Sequence, residues 1–508
     1  MSTTAEAAEI RYGNLRRPSV PGFFGMGAIP SGLLVLGALV MLGLIFAANL
    51  WVGLIWMGLV LVAVLPEAIK TADGQGHYTK WLGRVRFNRA ARTDKNVLVQ
   101  GLTGFVPDGE CRLPGVAASV DLSTEHDVHG REFALIHWTK TDLYSVVINC
   151  FPPGNSGLDR DVLDMQVAQW AAWLGQLNTI GEVAGAQVVI ESAPDSGERL
   201  RRAIDRGLSH DAPPYSQLMA EQMKESSRAG APVVTARITV TFNAKLTGEV
   251  EREKDARIRT RAEMAAAVGD VLPTLTGSLD GTGAGQGGYP ATVQEITDLI
   301  RVAYDPAVAA HVEDAQYTPQ GTGLTWSQAG PLTAVNHFDF YQHDTACSRT
   351  WQMREAPRGM FFSKVLQDLL APHRDVARKR VTLVYRPESP SKSTQFAESD
   401  VTSARLVASQ NPRMRAAHRL AVSAAEKTAE QEALGSPLIR IGLLVSVTVL
   451  DPADLERASA VVVKSLAPQA RLRMRLPRGG QDTAFVAGLP LGMVPYYHGS
   501  LTSFASAM

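Results

Sequence analysis

The sequence predicts an α+β (α/β) region of two similar units behind an N-terminal transmembrane α-hairpin, and three observations carry that reading. Residues 18–66 contain no charged side chain. Beyond about residue 96, short β-rich runs alternate with helical ones, the pattern of strands and helices packed in layers. A strand-to-turn passage, "VVIESAPDSGERL" (188–200), has a counterpart in "TLVYRPESPSKST" (382–394).

The apolar stretch "LLVLGALVMLGLIFAANLWVGLIWMGLVLVAVL" is too long for one span of about 20 residues, so two short helices are expected, near 31–48 and 51–65. Asn49 lies near the turn, and Trp51 and Trp56 suit an interface. One long or re-entrant apolar segment is the alternative. Arg11, Arg16 and Arg17 precede the stretch, and Lys70, Lys80, Arg84, Arg86, Arg89, Arg92 and Lys95 follow it. This asymmetry predicts a multi-pass protein of the cell (inner or plasma) membrane with both termini cytoplasmic. The basic run "YTKWLGRVRFNRAARTDK" is expected to contact anionic lipid in preference to serving as a plain solvated connector.

After the hairpin, "REFALIHWTKTDLYSVVINCFPP" reads as two strands around a turn at 140–142, followed by the helix "DRDVLDMQVAQWAAWLGQL" and the strand "AQVVIES". A turn, the helix "YSQLMAEQMKESSRA" and the strand "APVVTARITVTFNA" complete the first pass. The second pass has "PLTAVNHFDFYQ" and "ACSRTWQMREA" as strands, "FFSKVLQDLL" as helix, and the strand "RKRVTLVYRPESPSKS". A long helical stretch near 400–433, the strand "SPLIRIGLLVSVTVLD", the helix "DLERASAVVVKSLA" and the strand "ARLRMRLP" follow. The repeated order suggests an internal duplication of two ferredoxin-like units. The expected division is a cytosolic segment (1–30), the transmembrane hairpin (31–66), a basic juxtamembrane connector (67–114), a first α/β unit (115–275), a Gly-rich linker and helix (276–330) and a second α/β unit (331–508). Thr292 and Glu295 form a capping box that opens the helix after the linker.

Fifty Lys and Arg offset fifty Asp and Glu, so no global field draws the chain to nucleic acid or an acidic substrate. Cys111, Cys150 and Cys347 are an odd number without a C-x-x-C pair, which argues for reduced, packed thiols rather than a disulfide frame or zinc knuckle.

Several motifs look chemical and fall short. In "RPESPSKSTQF" (386–396), Lys392 and Ser393 occupy the last places of a phosphate loop. Arg386 and Ser391 stand where its glycines belong, and Pro387 and Pro390 each remove a backbone donor. "GTGAGQGG" (281–288) follows no strand and lacks the lysine, so it reads as a linker. In "NHFDFYQHD", His337, Asp339, His343 and Asp344 are metal-ligand types, but His337, Asp339 and Tyr341 alternate with Phe338 and Phe340 as in a half-buried strand. His126 and His129 sit in a polar turn, and Arg413, Arg415, His418 and Arg419 belong to a helix of mixed charge. No catalytic, cofactor-binding or metal residue is assigned, and no cofactor is expected.

The opening "RYGNLRRPSVPGFFGMG" (11–27), followed by two tight apolar segments, resembles the PrgI-like membrane proteins of actinobacterial conjugative elements. The late stretch "RMRLPRGGQDTAFVAGLPLG" is similar to the end of the amino-terminal domain of type IV secretion ATPases, where an "AF…LPLG" segment precedes the motor. Because the chain ends at Met508, shortly beyond Gly492, the resemblance implies a relative of that domain without its motor. It implies a non-catalytic, membrane-anchored, oligomeric scaffold of a conjugative type IV-like secretion apparatus, docking a separate ATPase and other subunits, with no direct nucleic-acid site. An EccE-like component of type VII secretion, or a membrane-bound enzyme acting on a lipid-linked substrate, are the competing expectations.

Overall fold

The computed structural model describes residues 28–498 apart from short internal stretches, of which 105–108, 227–231, 246–256, 358–360 and 410–415 are the longer. The segment 11–27, which carries part of the family likeness, lies outside the described residues, as do Arg413 and Arg415.

The apolar stretch forms two helices, α1 (Ala28–Ala47) and α2 (Leu50–Ala68). Asn49 stands at the turn, where its Oδ1 accepts the Val52 amide at 3.0 Å and caps α2. The helices approach closely because Gly37 has no side chain: a Cβ there would lie 2.7 Å from Val60 Cγ1, and the Trp56 indole donates to the Gly37 carbonyl at 3.2 Å. Among the described residues, however, no helix is long and apolar enough to cross a membrane. The uninterrupted apolar portions, 31–47 and 50–65, reach about 25 Å at 1.5 Å per residue, short of the ~30 Å hydrocarbon core. The expectation of a multi-pass membrane protein with both termini cytoplasmic is corrected on that finding. The basic run forms a helix, α3 (His77–Ala91), which rests on Phe338 through Phe87, ring centroids 5.3 Å apart, and Arg84, 5.5 Å from the ring.

Thirteen strands form one sheet among the described residues. In chain order they are β1 (Val97–Val99), β2 (Val120–His126), β3 (Glu132–Trp138), β4 (Leu143–Cys150), β5 (Val183–Pro194), β6 (Pro232–Asn243) and β7 (Tyr289–Pro290). Then come β8 (Thr333–Asn336), β9 (Tyr341–His343), β10 (Ala346–Glu355), β11 (Arg378–Pro387), β12 (Ile439–Val449) and β13 (Arg473–Arg475). The path runs β1-β8-β9-β10-β12-β11-β5-β6-β4-β3-β2, with β13 added to β10 and β7 to β4, and the pairings are antiparallel. The order β5-β6-β4-β3 in one half is repeated as β11-β12-β10-β9 in the other. The halves join where β5 pairs with β11, from Lys379 opposite Ser192 to Tyr385 opposite Ala186.

The connections are matched less closely. Helix α4 (Arg160–Thr179) links β4 to β5, and α5 (Glu198–Gly207) and α6 (Pro214–Ser226) link β5 to β6. Two further helices, α7 (Arg261–Gly277) and α8 (Val293–Tyr304), each open on a capping box, Thr260 with Glu263 and Thr292 with Glu295, and α9 (Ala309–Gln316) follows. In the second half, "FFSKVLQDLL" gives only a 3-10 turn (Ser363–Leu366) and α10 (Gln367–Leu370). Pro372 holds Ala371 extended and ends the helix there. The helical stretch expected near 400–433 is two helices, α11 (Pro390–Ser409) and α12 (Ala416–Ala433), with Pro412 between them in sequence. After β12, α13 (Leu455–Val461) passes through a π turn (Val462–Leu466) into α14 (Ala467–Gln469), and α15 (Gln481–Ala487) comes last.

Two apolar layers cover the outer face. Trp173 and Leu177 of α4 and Met264 and Leu272 of α7 pack on Leu135, Val146 and Ile238, while Leu455, Val462 and Leu466 pack on Trp351, Val445 and Val447. A third cluster joins Ile136 and Trp138 of β3 with Ala334 of β8 and Tyr341 of β9, around Ile300 and Tyr304 of α8 and Phe485 of α15. Strands from distant places on the path meet in one cluster, so the twisted sheet curls and has an inner face.

Candidate functional site

Period-two alternation puts Ser145, Gln187, Thr241, Thr350, Thr382 and Ser446 on that inner face, and all are at most 2% exposed. Enclosed hydroxyls and amides are costly unless hydrogen-bonded. Part of their satisfaction is mutual: Ser145 and Thr241 are cross-strand partners with oxygens 2.9 Å apart, and Thr350 and Ser446 are 2.8 Å apart.

The rest comes from a late segment, α15 and residues 488–494, which lies buried inside the curl. The Gln187 amide donates to the Met493 carbonyl at 2.7 Å, and its oxygen accepts the Gly492 amide at 3.2 Å. Thr382 donates to Gly488 O at 2.9 Å, Thr241 to Gly492 O at 2.9 Å, and the Trp138 indole to Leu491 O at 2.8 Å. At the entrance, Gln481 accepts the Thr350 amide at 2.9 Å and donates to the Thr350 carbonyl at 3.1 Å. Strands of both halves therefore grip one segment, a helix followed by a bent run. Pro490 has no amide to leave unsatisfied, and Leu489, Leu491 and Met493 fill the apolar part of the same space.

Beside the segment, the rings of Tyr304, Tyr341 and His343 surround Phe485, with centroids 5.2, 5.5 and 4.7 Å from it. His343 Nδ1 lies 2.5 Å from the Tyr304 carbonyl and so carries the proton, which leaves Nε2 to accept the Ser348 hydroxyl at 2.8 Å. Burial pulls this imidazole down to about 4, so it is neutral at physiological pH. Ser348 and His343 have the spacing of a nucleophile and its base, but they are 1% and 0% exposed and Thr448 holds the serine oxygen at 2.7 Å. No substrate reaches them in this conformation; the pair ties β9, β10 and α8 together.

Charge gathers at the strand ends. Glu191 Oε1 accepts from Arg378 at 3.0 Å and Arg380 at 3.1 Å, and Arg237 stands nearby on β6. Beyond the other end of β11, Glu388 pairs with Arg386 at 2.7 Å and with Arg440, while Arg386 lies over the Tyr496 ring at 3.9 Å.

The residues singled out in the sequence are scattered. Lys392 and Ser393 belong to the first turn of α11, where Ser393 Oγ accepts the Leu438 amide at 3.2 Å; the passage runs from the end of β11 into α11, as its counterpart runs from β5 into α5. "GTGAGQGG" is a packed loop whose Gly285 presses on the Phe151 carbonyl at φ +96°, leaving no space for a Cβ. "NHFDFYQHD" is not one strand: β8 ends at Asn336, and the His337 amide bonds the Phe340 carbonyl at 3.0 Å to close a hairpin turn. Arg349 fixes that turn by donating to the Asp339 carbonyl at 3.1 Å, so the expected alternation breaks. His337 is half-buried and stacks on Phe340, His343 is enclosed, and among the described residues no group of three metal-type side chains converges. Asp127 orders the turn between His126 and His129 by accepting the amides of His129 and Arg131 at 2.9 Å. The three cysteines are free and buried.

Sequence reasoning missed the inner face because serines and threonines on alternating strands read as solvent-facing. The nearly unbroken apolar run of 484–495 was the available signal that a late segment is fully enclosed. No protein-family model matches the chain, and the search of curated proteins gives no match.

Proposed function

We propose that this chain is a non-catalytic scaffold subunit of a conjugative, type IV-like secretion apparatus that docks partner subunits, a separate ATPase among them. One observation carries the reading. The stretch that resembles the end of a secretion ATPase's amino-terminal domain, 473–492, closes in the internal tie that fastens both halves of the sheet, where its carbonyls are bonded to Trp138, Thr241 and Thr382. Such a segment acts in architecture, and its enclosed side chains leave no surface for chemistry.

The repeated strand order supports reading 115–275 and 331–508 as two ferredoxin-like units. Exposed apolar side chains on the helical hairpins, Phe46 (83%), Trp51 (73%) and Leu420 (71%), are the kind of surface that a multi-subunit machine covers.

The test is capture of the tagged full chain after mild cross-linking in cells that carry the apparatus. A secretion or conjugation ATPase is expected to co-purify. Its consistent absence overturns the docking role, and nucleotide turnover by the purified chain overturns the non-catalytic one.

A further inference from the structure

On the inner face, three guanidiniums from two strands gather round one carboxylate. Arg380 of β11 stands directly opposite Glu191 of β5, and Arg378 is its neighbour on the same side of the strand. Arg237 of β6, opposite Val189, is one diagonal step from Glu191. Glu191 Oε1 is shared by Arg378 and Arg380. Arg237 has no carboxylate within ion-pair distance among the described residues, and its side chain donates to the Thr235 hydroxyl at 3.1 Å.

The cluster is poorly balanced for so enclosed a place. Arg380 is 4% exposed and its Nε has no hydrogen-bond partner. The Thr239 hydroxyl, two residues from Arg237 on the same face, is fully buried and also unpartnered. The other carboxylate that bears on Arg237 is Glu295, already engaged by Tyr289 Oη at 2.8 Å, the Thr292 amide at 2.9 Å and Asn149 at 3.4 Å. With Glu295 counted beside Glu191, three positive charges face two negative ones, and surplus guanidinium charge taken from water is costly until an anion offsets it.

We infer that this cluster is a binding site for a small phosphate-class oxyanion, held by Arg237, Arg378 and Arg380 while Glu191 keeps the last two in position. A phosphate carries about 1.5 to 2 negative charges at pH 7, enough to offset the surplus, and the guanidinium fork suits its oxygens. Burial and the charge of Arg380 both work against the charged form of Arg237, and a bound dianion relieves that. Arg237 is half-buried rather than sealed. The site is independent of the secretion reading.

Titration calorimetry of the full chain at constant ionic strength tests it, with inorganic phosphate as ligand, chloride as control and AMP as a second ligand. A saturable phosphate site absent with chloride is expected. AMP binding as tightly as phosphate assigns the phosphoryl group of a nucleotide; phosphate alone assigns the free ion. Arg237→Gln and, separately, Arg378→Gln are expected to weaken binding about tenfold or more. Glu191→Gln, which removes the competing carboxylate, is expected to tighten it, an effect that a purely structural cluster does not produce. No saturable phosphate heat with the natural chain, or unchanged affinity in a folded Arg237→Gln variant, overturns the proposal.

Discussion

Gly492 and Ser145 stand so close that a Cβ on the glycine would lie 2.2 Å from the serine hydroxyl oxygen. Gly492 also has φ +74°, a left-handed conformation that costs an L-residue about 1–2 kcal/mol. Gly130 has the same φ with nothing within 4 Å of its would-be Cβ. Gly492→Ala is therefore expected to cost roughly 3 kcal/mol or more by adding overpacking to strain, and Gly130→Ala only about 1 kcal/mol. Urea denaturation of both variants checks this; equal losses would mean that the segment is not gripped as described.

Gln187 serves the same segment with both ends of its amide. Gln187→Leu keeps the volume but leaves the Gly492 amide and the Met493 carbonyl without this partner. The expected loss is about 2–4 kcal/mol, with hydrogen exchange at the Gly492 amide faster than in the natural chain. Unchanged exchange there would contradict the assignment.

Acid should weaken the fold in two stages. Burial lowers His343 to about 4 from 6.5, so its contribution is whole above pH 6.5 and is lost as the pH falls toward 4. Burial alone would raise the Glu191 carboxyl, but Arg380, Arg378 and Arg237 hold it at about 2 against the usual 4.5. Its contribution is whole above pH 4.5 and is lost as the pH falls toward 2. Each stage is on the order of 3 kcal/mol. Unfolding free energies measured from pH 7 to 2.5 should show both stages, and Glu191→Gln should flatten only the lower one.

The thiols offer a simple check of enclosure. Cys111, Cys150 and Cys347 are 8%, 7% and 2% exposed, and burial pushes Cys150 up to about 12. A thiol-reactive dye at pH 8 should modify the native chain slowly and reach three equivalents only in denaturant, because the thiolate is the reactive form. Rapid stoichiometric labelling of the native chain would contradict the packing.

Much of the strand pattern was legible, since β-branched runs such as "VVIES" and "TLVYR" mark β5 and β11 and their matched turns revealed the repeat. Asn49 and the Thr292–Glu295 box were also readable, because caps are local. What escaped depends on partners distant in the chain. Thr241 looks solvent-facing until Gly492, 251 residues away, supplies its carbonyl, and Trp138 finds its partner 353 residues away at Leu491. The Arg349 hold on Asp339, which turns an apparent strand into a hairpin, is likewise invisible to alternation. For the hairpin helices, sequence revealed the turn, whereas length decided against a span.

The enclosed segment also sets a clock. Its residues follow the strands of both halves in the chain, yet they bond strands from each, so neither half closes until Val494 has left the ribosome. At about 5–20 residues per second, the 251 residues from Thr241 to Gly492 take roughly 13 to 50 s. Throughout that interval, the hydroxyl-lined inner face of the first half, with Ser145, Gln187 and Thr241, stays open to water and to other chains. The newborn protein therefore has a long vulnerable period, and chaperone supply should govern its yield more strongly than its final stability does.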